Sequence, residues 1–109
     1  MDKIHDFHAH IYFDPEQVEM ARALGEATLA RFPSVQMGKI HLKPVGPHPR
    51  GSYQLTVSLQ DFAELTCWFL DSRGPLTIFM HANTGEDLLD HTAHVIWLGL
   101  SEHLALDAL

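Results

Sequence analysis

Residues 5–13 combine alternating apolar side chains with three of the chain's nine histidines. If this run forms a β-strand, successive side chains point to opposite faces of the sheet. One face then carries only apolar side chains, those of Phe7, Ala9, Ile11 and Phe13. The other face carries two imidazoles and a phenol, those of His8, His10 and Tyr12. The pattern therefore predicts a strand with a hydrophobic core on one side and a chemically active surface on the other.

Composition narrows the class of protein. The 109 residues suit one domain covering residues 1–109, with a single core. Only 7 Lys and Arg residues offset 14 Asp and Glu residues, a net charge of −7, which argues against nucleic acid or an anionic membrane as a partner. No apolar run is long enough to span a bilayer. The single Cys67 cannot form an internal disulfide, and we expect a buried thiol and a cytoplasmic location.

Hydrophobic periodicity and the turn residues predict six elements. They are a strand at 5–13, a helix at 15–32, an extended run at 35–45, a strand at 53–59, a helix through 62–69 and a strand at 76–81. This βαββαβ order predicts an α+β fold, a ferredoxin-like sandwich with an antiparallel sheet. Two helices cover only one sheet face, so we expect a homodimer that covers the histidine face and forms a dimeric α+β barrel. Residues 87–94 could be helical or could lead into a short strand at 95–98, and periodicity does not decide.

Five histidines are candidates for chemistry because imidazole binds Zn, Cu, Fe and Ni and titrates near neutral pH. They are His8, His10, His48, His81 and His91. Two histidines and one carboxylate form the facial triad of non-haem iron oxygenases. The carboxylates nearest to a histidine-bearing segment are Glu86, Asp87 and Asp90. From spacing alone, a histidine pair on a strand can equally be a hydrogen-bonded core pair, and His48 between two prolines can be an ordinary surface turn.

Four short motifs, taken in order, resemble the DOPA 4,5-dioxygenase family of small fungal and bacterial proteins. The motifs are His8-Ala9-His10-Ile11-Tyr12-Phe13, Val45-Gly46-Pro47-His48-Pro49, His81 with the segment 84–92, and Trp97-Leu98-Gly99. The resemblance covers nearly the whole chain. It implies a ferredoxin-like fold, often dimeric, and extradiol cleavage of a catechol such as DOPA with O₂ to a muconic semialdehyde. It also implies that the five candidate histidines are the family's motif histidines.

Within this resemblance, we expect His8, His10 and His81 to bind Fe(II), with Zn or another divalent metal as the alternative occupant. We expect His48 and His91 to act as acid, base or substrate-orienting groups. Two other classes of function stay open from the sequence. One is a non-enzymatic or metal-free dimer that binds a small aromatic compound, and the other is a cofactor-free isomerase or lyase that uses His48 and His91 as acid and base.

Overall fold

A computed structural model describes residues 3–109 as one antiparallel sheet with helices. The strands are β1 (Asp6–Phe13), β2 (Gln36–Met37), β3 (Gly51–Val57), β4 (Thr77–Asn83) and β5 (Val95–Leu98). The helices are α1 (Val18–Arg31), α2 (Leu59–Ser72) and the single turn α3 (Asp87–Asp90). The order β1α1β2β3α2β4 confirms the predicted ferredoxin-like fold, to which α3 and β5 are added at the sheet edge.

The strand order in the sheet is β2-β3-β1-β4-β5, so β1 lies at its centre. The register places His8 directly opposite His81 on β4, and His10 opposite Gln54 on β3. Adjacent antiparallel strands bring the side chains of such cross-strand pairs into contact. The topology therefore brings histidines 71 residues or more apart in the sequence onto one patch of the sheet.

The apolar face of β1 packs in the core, as its alternation predicts. Phe7, Ala9, Ile11 and Phe13 belong to one buried cluster with residues of α1 and α2. Burial of apolar surface in such a cluster is the main stabilising contribution to a domain of this size. The largest polar side chain in this cluster is also paired, since the buried Tyr53 hydroxyl donates to the backbone carbonyl of Ala21 in α1 at 2.6 Å.

The histidine face of the sheet is not open, which corrects the reason given for the homodimer. Tyr12 and Phe79, which lie on this face, are both fully buried within the single chain. The loop after β2 and the segment after β5 meet at this face. There Arg50 donates to Glu102 at 2.7 Å, and the Ala105 N–H donates to the Pro47 carbonyl at 2.9 Å.

The extended run predicted at 35–45 is mostly irregular. Only β2 pairs as a strand, and His41 adds a single bridge to Ser52. Gly38 weakens a strand, and Pro44 has no N–H for the ladder, so regular pairing does not continue along this edge.

The predicted strand at 53–59 is also displaced. It runs from Gly51 to Val57, because Ser58 caps α2 by accepting a hydrogen bond from the Asp61 N–H at 3.2 Å.

The segment that periodicity left undecided contains both alternatives, first α3 and then β5.

Cys67 is exposed on α2, so the predicted buried thiol is wrong; its neighbours Leu65 and Phe69 occupy the buried side of the helix instead. Across residues 3–109, none of the helices has both the length and the apolar character required to cross a membrane.

Candidate metal centre and adjoining cleft

Three histidines form a compact group on the central strands, hereafter the three-imidazole group. His8 and His10 alternate on β1, and His81 projects from β4 opposite His8. One ring nitrogen from each histidine lies within 4.8 Å of the other two. The closest pair is His10 Nε2 and His81 Nε2, which are 3.2 Å apart. These are the three residues that were expected to be metal ligands.

The spacing within this group fits a shared metal ion. With typical metal–nitrogen bonds of about 2.1 Å, two ligand atoms 3.2 Å apart subtend an angle of about 100° at the ion. That angle lies between the ideal values for octahedral and tetrahedral coordination. The donor atoms of His10 and His81 are therefore placed as two neighbouring ligands of one ion.

The protonation state of the group also suits metal binding, which requires neutral imidazole. Burial lowers the pKa of His10 well below its usual value, and nearby histidines lower it further. Burial likewise lowers the pKa of His81 to about 4. His81 Nδ1 lies 3.0 Å from the Ala82 carbonyl, and an N–H donated there leaves the lone pair on Nε2. The pKa of the half-buried His8 is lowered too, mainly by burial.

None of the three candidate carboxylates joins the three-imidazole group. Asp90 is buried, and both of its oxygens are occupied. They accept from the Thr84 N–H at 2.7 Å, the Thr84 hydroxyl at 2.8 Å and His94 Nδ1 at 2.8 Å. His94 thus belongs to this structural network. Glu86 and Asp87 are exposed.

His48 lies beside the three-imidazole group, where the Gly/Pro turn brings it down onto the sheet. Its ring is buried and its centroid lies 4.0 Å from that of His10. His48 Nδ1 is 2.7 Å from the hydroxyl oxygen of Tyr12. Burial is the main reason that the pKa of His48 falls to about 4, and burial also raises the pKa of Tyr12. Both groups are therefore neutral at neutral pH.

His91 approaches the group from the other side, at the end of α3. Its ring centroid is 4.1 Å from that of His81, and the side chain is only half-buried. His91 Nδ1 lies 2.7 Å from the Asp87 carbonyl, so a proton on Nδ1 is donated to the backbone. In the neutral ring, Nε2 then carries the lone pair, which can accept a proton from a bound molecule. The structure thus brings together all five candidate histidines.

Sequence reasoning missed an aromatic floor beneath these histidines. Phe79 has its ring centroid within 6.4 Å of the rings of four of them, His10, His48, His81 and His91. Trp97 stacks on Phe79 at 4.5 Å. Phe79 could have been found from its spacing of two residues from His81. Trp97 joins only through the β4–β5 register, which the sequence left undecided.

A cleft of about 340 Å³ opens beside the group, with His10 and His48 in its wall. Lys39, His41 and Gln54 also line it. The volume lies at the lower end of the range for small-molecule sites. A compound of one aromatic ring with a short side chain could therefore bind here next to the three-imidazole group.

Comparisons with known proteins agree with the motifs. Residues 7–108 match the Dopa 4,5-dioxygenase family. A DOPA 4,5-dioxygenase of Amanita muscaria is 34% identical over 112 residues, which cover 95% of this chain and 49% of that protein. An uncharacterized 21.2 kDa protein of Botryotinia fuckeliana is also 34% identical, covering 93% of this chain and 60% of that protein. The chain therefore spans only about half the length of the first of these relatives.

A solved structure matches over more of its own length. It is the crystal structure of a "putative dioxygenase" from Nostoc punctiforme, which superposes with a TM-score of 0.93 at 37% sequence identity. The match covers 96% of this chain and 90% of the other. The comparisons confirm the family resemblance and the fold that were expected from the sequence.

Proposed function

This chain belongs to the Dopa 4,5-dioxygenase family, and we propose that it is an Fe(II)-dependent extradiol dioxygenase of catechols. In this reaction the ring bond beside one hydroxyl breaks and both atoms of O₂ enter the product, a muconic semialdehyde. The observation that carries the proposal is the 3.2 Å spacing of His10 Nε2 and His81 Nε2. It lies within a group of three neutral imidazoles, next to two further histidines and an aromatic floor.

The residues present fit a metal ion held by nitrogen alone. His8, His10 and His81 would hold it, and the His81–Ala82 hydrogen bond would fix the orientation of one ligand. When bound, Fe(II) supplies Lewis acidity toward the catechol and redox chemistry toward O₂, with coordination positions left free by three protein ligands. All three ligands are neutral, so the ion would keep its full charge and attract a catecholate strongly.

His91 is the residue best placed to accept a catechol proton. Its Nδ1 proton is donated to the Asp87 carbonyl, which leaves Nε2 as a base near His81. Its half-exposed position also allows it to exchange that proton with solvent. General bases positioned in this way typically contribute about 10²–10⁴-fold to the rate.

His48 and Tyr12 act together as a hydrogen-bond donor that orients the substrate. Tyr12 keeps its proton because its pKa is raised, and it donates to His48 Nδ1 across 2.7 Å. The remaining proton of the neutral His48 is then on Nε2, from which it can donate a hydrogen bond to a substrate or product oxygen. The two histidines therefore present different Nε2 atoms, one a proton acceptor and one a hydrogen-bond donor.

Phe79 and Trp97 form an apolar support beneath the histidines. Their rings stack at 4.5 Å, and Phe79 is fully buried. Such a layer excludes water from one side of the histidines, which strengthens the polar contacts around them.

The test is catechol turnover by protein purified without metal and then loaded anaerobically with Fe(II). We expect consumption of one O₂ per catechol and a yellow semialdehyde product. Protein loaded with Zn(II), which binds imidazole but has no redox chemistry, is the matched control and should be inactive. If iron binds but neither O₂ uptake nor colour follows with a panel of 3,4-dihydroxyphenyl compounds, this function is wrong. Turnover of a substrate without any metal would instead support the isomerase or lyase alternative.

A further inference from the structure

The cleft beside the three-imidazole group has one cation, Lys39, in its wall, although the protein is acidic overall. The described residues that line the cleft include no Asp or Glu. The whole chain has only 7 Lys and Arg residues and a net charge of −7. A positive charge in a cleft without carboxylates, on a protein of net negative charge, attracts anions to that cleft.

The sheet register fixes how far this wall lies from the histidines. His10 on β1 is opposite Gln54 on β3, and the Gly38 N–H donates to the Gln54 carbonyl at 2.8 Å. The backbone next to Lys39 is therefore two strand spacings from β1, or about 10 Å. A catechol ring near His10 with a short side chain reaches across such a distance, because the Lys39 side chain can extend back into the cleft.

The wall is anchored although the Lys39 side chain is exposed. Gly38 is bonded to Gln54 on one side of Lys39, and on the other side His41 exchanges two backbone hydrogen bonds with Ser52, at 2.9 and 3.0 Å. The position of the lysine backbone is thus set by β3. Its ammonium group remains free to meet a ligand, since no side-chain partner holds it elsewhere among residues 3–109.

We propose that Lys39 binds the carboxylate of the substrate, which makes the preferred substrate a catecholic carboxylic acid. This inference rests on the proposed function, because it places the catechol ring at the histidines. The same wall offers no carboxylate to pair with an ammonium group. An acid without an amine, such as 3-(3,4-dihydroxyphenyl)propionate, should therefore bind better than the amino acid DOPA, and dopamine should bind worst.

The experiment compares 3-(3,4-dihydroxyphenyl)propionate with its uncharged primary amide and with dopamine on the Fe(II)-loaded protein. We expect kcat/KM for the acid to exceed that for the amide by about tenfold or more, mainly through KM, and to fall as salt is added. Lys39→Met should remove most of this preference. Lys39→Arg should restore much of it. Lys43→Met removes a neighbouring charge that does not line the cleft, and should change neither substrate.

Equal kcat/KM for the acid and the amide in the wild type would overturn the inference, as would an equal effect of Lys39→Met and Lys43→Met. A second measurement separates this inference from the proposed function. Binding of the acid and the amide to metal-free protein is followed by NMR, with the His48 and Lys39 signals as reporters. Lys39-dependent binding of the acid without any turnover supports the carboxylate site and contradicts the dioxygenase. Turnover of all catechols with no dependence on Lys39 supports the dioxygenase and contradicts the carboxylate site.

Discussion

At the scale of single residues, the five clustered histidines differ in what each ring nitrogen contacts. The nitrogens of His10 and His81 face each other at 3.2 Å, as two ligands of one ion would. His48 and His91 lie beside this pair and contact other groups through Nδ1, His48 with Tyr12 and His91 with the Asp87 carbonyl. The cluster therefore contains two kinds of histidine, those whose nitrogens approach a common point and those that flank it.

This difference predicts that metal retention and turnover separate in alanine variants. His8→Ala or His81→Ala removes a direct ligand, and we expect metal affinity to fall by about 100-fold or more. His48→Ala or His91→Ala should keep the metal and slow turnover by about 100-fold or more. Metal content and catechol turnover are measured on all four purified variants, with thermal unfolding of the metal-free proteins to show that each one folds. Loss of metal in His48→Ala with retention in His81→Ala would invert the assignment.

At the scale of secondary structure, α3 places His91, and Asp90 holds α3 against β4. Asp90 is 2% exposed and accepts three hydrogen bonds, two of them from Thr84 at the end of β4. Burial alone would raise the pKa of Asp90. The hydrogen bonds from Thr84 and His94 outweigh it, so the pKa is lowered and the carboxylate stays ionised. The residue that sequence reasoning considered as a metal ligand therefore has a structural role.

We predict that Asp90→Asn lowers the free energy of unfolding by about 1–3 kcal/mol at pH 7, because an amide cannot accept all three hydrogen bonds. The lowered pKa fixes the sign of the pH dependence. The contribution of Asp90 is fully present above its unfolded pKa of about 3.9 and is lost as pH falls through the lower folded pKa. Urea unfolding of wild type and variant should therefore show a gap at pH 7 that narrows near pH 3. Asp87→Asn, an exposed change in the same helix, is the control and should stay within about 0.5 kcal/mol.

Much of the fold could be predicted because β1 and its neighbours have clear periodicity. Alternation on β1 assigned Phe7 to the core, which is confirmed, and placed His10 on the opposite face of the strand, where it lies beside His81. The edge elements could not be predicted in this way, because β2 is only two residues long and β5 only four. The residues of the candidate site also fall into a predictable and an unpredictable group. Its histidines were visible as motifs, whereas Trp97 and Lys39 join it only through strand register and loop path, which no local pattern encodes.

At the scale of the whole molecule, the chain covers most of its own site. The segment after β5 contacts the loop that carries His48, through Arg50 and Glu102 and through the Ala105–Pro47 hydrogen bond. The histidine face is therefore covered without a partner, and the expected homodimer must be argued from another surface. Leu88 on α3 is 61% exposed and Leu100 after β5 is 87% exposed, so apolar side chains flank the histidine face at its edge. Large exposed apolar side chains near a functional site are typical of interfaces.

We predict that the protein is a homodimer whose interface includes this edge of the histidine face. Light scattering at micromolar concentration should give twice the chain mass of 12.3 kDa. Leu88→Lys should shift the equilibrium toward monomer by about tenfold or more, because a charge replaces an apolar contact that excludes water. Leu70→Lys is the matched control, since Leu70 is 60% exposed but lies on α2, on the opposite side of the sheet. A wild-type monomer would refute the dimer itself. If Leu70→Lys and not Leu88→Lys breaks the dimer, the interface lies on the helical layer. The candidate site is then formed by one chain alone.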